Sequence, residues 1–523
     1  MPDRPATGLF TPRPRSSVLS EGVTRARARL DLLEEPELDA LLEDALFHER
    51  RRLERANPDP GEHGRLDTLA RAIVRGSRAD RTEVALALVR AWLDEIHTNF
   101  SMRAYKFAFH AIPPAVAALL TARPKRLRDW ELDITSRLDV QGDLPWLREL
   151  AQEATLILAP THVSNLDSPV IGLALTLAGM PPFQYGAGLN LFSNPVLGWW
   201  MRRLGAYTVD RTKSARMYKD VLKDYSVQQL QRRHHSLFFP GGTRSRSGAI
   251  ETDLKKGLLG TGVAAWQEML ASERPDPDVY IVPMTLSYQL VLEANTLVND
   301  FLTDAGKQRF IISDDEFSQP RRLATFFNRV LSMDTSVVCR FGDPIDVLGR
   351  PVPRSAADRA EASVHRRRYV TNREGKVEWD EQRDRVYTER AADALVRAYP
   401  KLATVHATHL AASVSWSLLQ DRVGSRDPFR VVRMPSSQRR IARSEWLSAA
   451  GRALQRAAQG AESQRWRASL PSSPEALLSQ ADDRFNIYHR TRALHLHGDD
   501  VVVEDPKLCL YYRNRATFTE ESP

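Results

Sequence analysis

The chain has 523 residues, 42% hydrophobic and 27% charged; it reads as globular and can bury a core in two or three regions. Lys and Arg total 74 against 66 Asp and Glu, and the net charge of +8 favours anionic partners without choosing among phospholipid surfaces, phosphorylated metabolites and nucleic acid. The two cysteines, Cys339 and Cys509, lie far apart with no Cys-x-x-Cys or Cys/His spacing, which argues against a zinc site or a disulfide scaffold and fits a reducing cytoplasm.

Residues 1–29 carry Pro and Arg without the apolar core of a secretory signal, and read as a disordered tail. From 30 to 127 apolar residues recur three and four apart, with a break at Pro58 to Gly61, which predicts a helical N-terminal domain; runs such as Arg50 to Arg52 read as solvated helix faces. Between 128 and 350 short runs of Ile, Leu, Val and Phe alternate with longer helical segments, an α/β pattern. Strands are expected at 155–158, 206–209, 236–239, 279–282 and 336–339, and helices at 167–178 and 257–270. Residues 351–385, charged and irregular, read as a linker or exposed arm. The region 386–523 reads as a mostly helical accessory region, helical over 388–419, a basic amphipathic helix over 437–459, and terminal strands over 501–512. The most apolar stretch, 170–180, is roughly half the ~20 residues a spanning helix needs, so any membrane contact is expected to be peripheral.

The chemistry gathers in THVSNLDS, 161–168. A strand ending near Leu158 and a helix from Asp167 would put His162 and Asp167 at the carboxyl edge of a sheet, where open α/β folds bind ligands. A His-Asp pair in contact holds the imidazole in one tautomer, so that its free nitrogen can take a proton from a hydroxyl. Five residues span roughly 140° more than one full helical turn, so a turn has to join the two. The same spacing recurs at His495 and Asp500, which read as ordinary turn residues, so context must separate the pairs. Downstream of His162, a strand from Leu204 delivers Arg211, a group able to grip phosphate. FFPGGTRSRSG, 238–248, adds Gly241 and Gly242 for close backbone approach and Arg244 and Arg246 as forked donors. Lys255 and Lys256 precede a helix start, a favourable place for an anion, and IVPMTLSY, 281–288, reads as an apolar strand with a polar end. Other signals are weaker. Gly257, Gly260 and Gly262 miss the dinucleotide-binding order, His234 and His235 sit among basic residues that disfavour a metal, and Trp199 and Trp200 suit core packing or a lipid interface.

In this order the four blocks resemble the glycerol-3-phosphate acyltransferase and lysophosphatidate acyltransferase superfamily. That family has His-x-x-x-x-Asp, Gly-x-x-x-x-x-Arg, Phe-Pro-Glu-Gly-Thr-Arg-Ser and a strand with Val/Ile-Pro, which correspond here to His162 and Asp167, Gly205 and Arg211, 239–245, and Val282 and Pro283. Residues 341–345 resemble its strand-terminal Arg-Phe-Gly-x-Pro, and 510–514 the tail of its long members. The sequence departs from the pattern at Gly241, where the family carries glutamate.

The resemblance, over roughly 150–345, implies an α/β glycerolipid acyltransferase-like mixed sheet flanked by helices, between a helical N-terminal domain and a mostly helical C-terminal extension. Catalysis would fall to His162 and Asp167; substrate binding would fall to Arg211, Gly242, Thr243, Arg244, Ser245, Arg246 and Lys255. The long architecture resembles the glycerol-3-phosphate and dihydroxyacetone-phosphate acyltransferases more closely than the short lysophosphatidate ones, and the implied reaction has acyl-CoA or acyl-ACP as donor and glycerol 3-phosphate as acceptor. The alternatives are lysophosphatidate or dihydroxyacetone phosphate as acceptor, or a non-catalytic lipid- and membrane-surface-binding homologue. No cofactor, metal or nucleic acid is expected, and the implied location is cytoplasmic, in peripheral contact with an anionic membrane.

Overall fold

The computed structural model describes residues 14–54, 60–107, 138–192, 195–275, 277–305, 337–487, 489 and 491–519. The expected helices over 108–127, the first thirteen residues of the expected tail, and Ser336 lie outside these.

The chain begins with helices α1 (Arg15–Asp31), α2 (Glu35–Leu53), α3 (Pro60–Arg75) and α4 (Arg78–Ile96). Helix α1 corrects the expected disordered tail. It is polar overall, but Val18, Gly22, Ala26 and Leu30 recur every fourth residue and are buried, and Arg25 pairs with Glu268 at 2.7 Å. Packing and distant ion pairs stabilise this helix, and neither leaves a mark on local composition. The four helices share a core with Tyr207 and with Met217, Tyr218, Val221 and Tyr225.

Among the described residues the central sheet has eight strands in the order β1-β7-β6-β2-β5-β3-β4, with β8 also paired to β6. They are β1 (Leu138–Gln141), β2 (Thr155–Pro160), β3 (Gln184–Gly188), β4 (Ala206–Val209), β5 (Ser236–Leu237), β6 (Val279–Tyr288), β7 (Val337–Phe341) and β8 (Ile345–Asp346). The sheet is mixed: β6, β2, β5, β3 and β4 run parallel, while β7 and β8 run antiparallel to β6. The five expected strands are present: 206–209 keeps its bounds, those expected at 155–158, 279–282 and 336–339 run further at their carboxyl ends, and that expected at 236–239 is shorter. β1, β3 and β8 were not foreseen, being short and, in β3, rich in glycine.

Strand alternation builds two cores. Leu156 and Leu158 of β2, with Val282, Met284 and Leu286 of β6, face one layer; Ile157, Ala159, Val279 and Ile281 face the other. The first layer holds α5 (Leu144–Glu153) and α6 (Asp167–Leu177) and continues into the C-terminal region through Leu410, Trp416, Trp446 and Tyr511. The second holds Trp266 of α9 (Lys256–Ala271) and Leu395 and Tyr399 of α12 (Glu381–Leu402). Between them in sequence lie α7 (Pro195–Arg203), α8 (Arg216–Gln231), α10 (Ala294–Ala305) and α11 (Ala356–Arg367).

Residues 351–385 are no exposed arm, because α11 docks through two buried arginines. Arg359 pairs with Glu149 at 2.6 Å and Glu153 at 2.8 Å, and Arg366 lies between Asp278 and Asp346. Charged composition resembles a solvated segment until those partners are in place. Two C-terminal expectations also change. The run 388–419 is split by the strand Thr404–His406, and 501–512 holds one short strand, Asp500–Val502, before the helix Pro506–Asn514. Asp505 caps that helix by accepting from the amides of Lys507 and Leu508, and Pro506 opens it. His495 stands in a hairpin with Asp500–Val502. No described helix is long and apolar enough to cross a membrane.

Candidate active site

Because β2, β4, β5 and β6 are parallel, the segments after them emerge at one edge of the sheet. His162 follows β2, and Asp167 is the first residue of α6, at the positive end of the helix dipole. The intervening turn brings His162 Nδ1 to 2.8 Å from Asp167 Oδ2. The same oxygen accepts from the amides of Val163 at 2.6 Å and Ser164 at 3.0 Å, and Oδ1 accepts from the Tyr288 hydroxyl at 2.7 Å. Asp167 is fully buried, so these four donors define its position. Burial, and then the Asp167 charge, push the Tyr288 phenol far above its ordinary range and keep it a donor. The His162 ring stacks on Phe239, centroids 4.0 Å apart, and keeps 14% of its side chain exposed. With Nδ1 turned to Asp167, Nε2 is the nitrogen left for a substrate.

The His162 backbone is held on both sides. Its amide donates to Glu251 Oε1 at 2.6 Å, and its carbonyl accepts from the Ser245 amide at 2.8 Å. Loss of solvent pushes the Glu251 carboxyl up to about 7, against the lowering effect of its bond from His162. A second carboxylate, Glu293, accepts from the Ser164 hydroxyl and the Asn165 amide, each at 2.8 Å, and meets Arg244 Nη1 at 3.3 Å. Burial raises its pKa, with the hydrogen bonds and Arg244 working against that shift.

The basic residues from the sequence differ in their pairing. Arg244 leans on Glu293, and Arg246 pairs with Asp304 on α10. Among the described residues Arg211 and Lys255 have no carboxylate at ion-pair distance. The pKa of Arg211 is lowered, first by the protein packed around it and then by the like charge of Arg244, so these two cations share one region. Gly242 has φ +76°, and a Cβ there would meet Lys255 Cγ at 3.0 Å. Ser245 spends its hydroxyl on the Ala249 carbonyl, and Thr243 is exposed. The fold thus gathers His162, Asp167, Arg211, Arg244 and the glycine turn, and commits Arg246 to a surface ion pair.

An acyltransferase family model matches residues 146–287. That segment is an acyltransferase-family domain. A glycerol-3-phosphate acyltransferase of Histophilus somni (strain 129Pt) is 32% identical over 174 residues, covering 33% of this chain and 20% of the relative. Another of the same name, from Xanthomonas axonopodis pv. citri, is 28% identical over 211 residues, covering 40% and 22%. The chain thus matches about a fifth of the length of these relatives. The crystal structure of the 1-acyl-sn-glycerophosphate acyltransferase PlsC from Thermotoga maritima aligns with 57% of this chain and 93% of its own, at 14% identity and a TM-score of 0.26, too slight a likeness to argue from.

The acyltransferase domain is braced from beyond the matched segment. Asn514 donates to the Ser247 carbonyl at 2.9 Å, and Arg515 reaches the carbonyls of Gly248 and Leu286 at 3.3 and 3.4 Å. Gly248 has φ +85°, and a Cβ on it would lie 2.2 Å from the Tyr511 carbonyl oxygen. Sequence reasoning missed Glu251, Glu293, Tyr288, Phe239 and Arg515 as parts of the site. Only Tyr288 and Phe239 stood inside motifs already singled out.

Proposed function

We propose that this chain is a glycerol-3-phosphate acyltransferase that makes lysophosphatidate. The observation that carries the reading is the His162–Asp167 pair with Nε2 left for substrate, together with two cations, Arg211 and Lys255, that have no carboxylate at ion-pair distance among the described residues. His162 Nε2 takes the proton of the sn-1 hydroxyl as its oxygen attacks the thioester carbonyl of acyl-CoA or acyl-ACP. The tetrahedral oxyanion collapses, the carbon–sulfur bond breaks, and the imidazolium returns its proton to the departing thiolate. Asp167 stabilises the imidazolium while it exists. Arg211, Arg244 and Lys255 hold the acceptor phosphate, with the Gly242 turn giving close backbone approach. Thr243 and Ser245 shape that loop, and Arg246 acts from its rim.

The same reading has the enzyme working in the cytoplasm against an anionic membrane. It is supported by the exposed Trp199 at 48% and Leu189 at 42%, with the Arg203 guanidinium 3.8 Å above the Trp199 ring.

Purified protein given labelled acyl-CoA or acyl-ACP with glycerol 3-phosphate, dihydroxyacetone phosphate and lysophosphatidate in parallel should acylate glycerol 3-phosphate fastest. His162→Ala should lower kcat by about 10² to 10⁴ with an unchanged melting temperature. No transfer to any acceptor by folded protein, or full turnover by His162→Ala, would overturn the reading.

A further inference from the structure

The family pattern sets a glutamate where this chain has Gly241, yet the space beside Gly241 is filled. A Cβ built on it would lie 2.9 Å from Cγ, 3.4 Å from Oε1 and 3.6 Å from Cδ of Glu251. The chain returns to that point because the Lys255 amide donates to the Pro240 carbonyl at 2.6 Å, closing 240–255 into a loop. Within the loop Ser245 holds the His162 carbonyl and Glu251 holds the His162 amide.

We propose that Glu251 supplies, from ten positions downstream, the carboxylate that Gly241 lacks, and that it is the positioning residue for His162. It acts through the main chain. The bond from the His162 amide sets the peptide from which the imidazole reaches both Asp167 and Phe239. A carboxyl is suited to the task because it keeps an oxygen able to accept the amide hydrogen bond whether or not it carries its proton. The glycine follows from this arrangement: any side chain at 241 would compete with Glu251 for the same volume. Its φ is not in the left-handed region, so backbone conformation does not require glycine there, whereas proximity to Glu251 does.

The proposal rests on the acyltransferase reading above, and its test separates the two. Glu251→Ala should lose roughly threefold to tenfold in kcat, the scale of one hydrogen bond, with little change in the KM for either substrate. Glu251→Gln, which keeps an acceptor oxygen, should recover most of that loss. Gly241→Glu alone should depress turnover, because it forces a second carboxyl against the first. Gly241→Glu combined with Glu251→Ala should exceed Glu251→Ala severalfold. Side-chain titration of His162 by NMR gives a readout free of turnover: its midpoint should move in Glu251→Ala and return in the double variant, each checked for folding by thermal melting. A folded double variant no better than Glu251→Ala, or Glu251→Ala with wild-type kcat and His162 midpoint, overturns the proposal while leaving the acyltransferase reading standing. Wild-type protein inactive on every acceptor sinks that reading, and the His162 titration then decides on Glu251 alone.

Discussion

Replacing Asp167 separates catalysis from folding at a single residue. Its carboxylate receives four hydrogen bonds, from His162 Nδ1, the amides of Val163 and Ser164, and the Tyr288 hydroxyl. Asn at this position keeps a carbonyl oxygen for the three donors on the His162 side and turns its amide toward Tyr288, whose hydroxyl can rotate to accept. The shape and the bonds survive and the charge is lost. Hydrogen bonds to charged groups contribute about 1.5–3 kcal/mol, so losing the charge opposite the transient imidazolium should lower kcat by about 10- to 150-fold. Asp167→Ala, by contrast, strands Val163 N, Ser164 N and the Tyr288 hydroxyl in a dry site. At about 1–3 kcal/mol for each, the cost is about 3–9 kcal/mol, comparable to the whole stability of a domain. Initial rates over a range of glycerol 3-phosphate, with melting temperatures for both variants, test this. Asn should melt near wild type and turn over slowly, and Ala should fail at both. An Asn variant with wild-type kcat, or an Ala variant as stable as Asn, refutes the reasoning.

Arg211→Ala should raise the KM for glycerol 3-phosphate and leave that for the acyl donor unchanged, while Arg246→Ala, already paired with Asp304, should do much less; equal effects in steady-state kinetics would show the ion pair to be irrelevant. The Glu251 carboxyl, raised from an ordinary 4.5 to about 7, binds its proton more tightly folded than unfolded, so its contribution to stability is fully present below about 4.5 and is lost as pH rises through about 7. Melting temperatures across that window should therefore fall less steeply in Glu251→Gln than in wild type, and parallel curves would remove the inference. Gly248→Ala should destabilise by about 2 kcal/mol or more, since it adds left-handed strain to a contact with Tyr511, and it should slow turnover by loosening the loop that carries Arg244; denaturant unfolding with an activity assay checks both.

The order of the motifs, the strand patterns around 155–160 and 279–288, and the His162–Asp167 pair were determined by sequence alone, because they depend on neighbours within a few residues. A short, nearly unbroken apolar run reports the burial of both faces of a strand before any fold is known. The tertiary structure decided which carboxylate serves His162, for Glu251 is 89 residues away from it in sequence and its backbone contact has no local signature. It decided also how the arginines are placed, with Glu293 tethering Arg244 next to the His162 turn and Asp304 claiming Arg246 at the surface. Charged segments such as 15–31 and 351–385 look solvated in sequence and are docked in space for the same reason: an ion pair depends on a partner that only folding brings within 4 Å. Gly241 joins both levels. Its place in the motif reads as a lost carboxylate, and the fold sets another there.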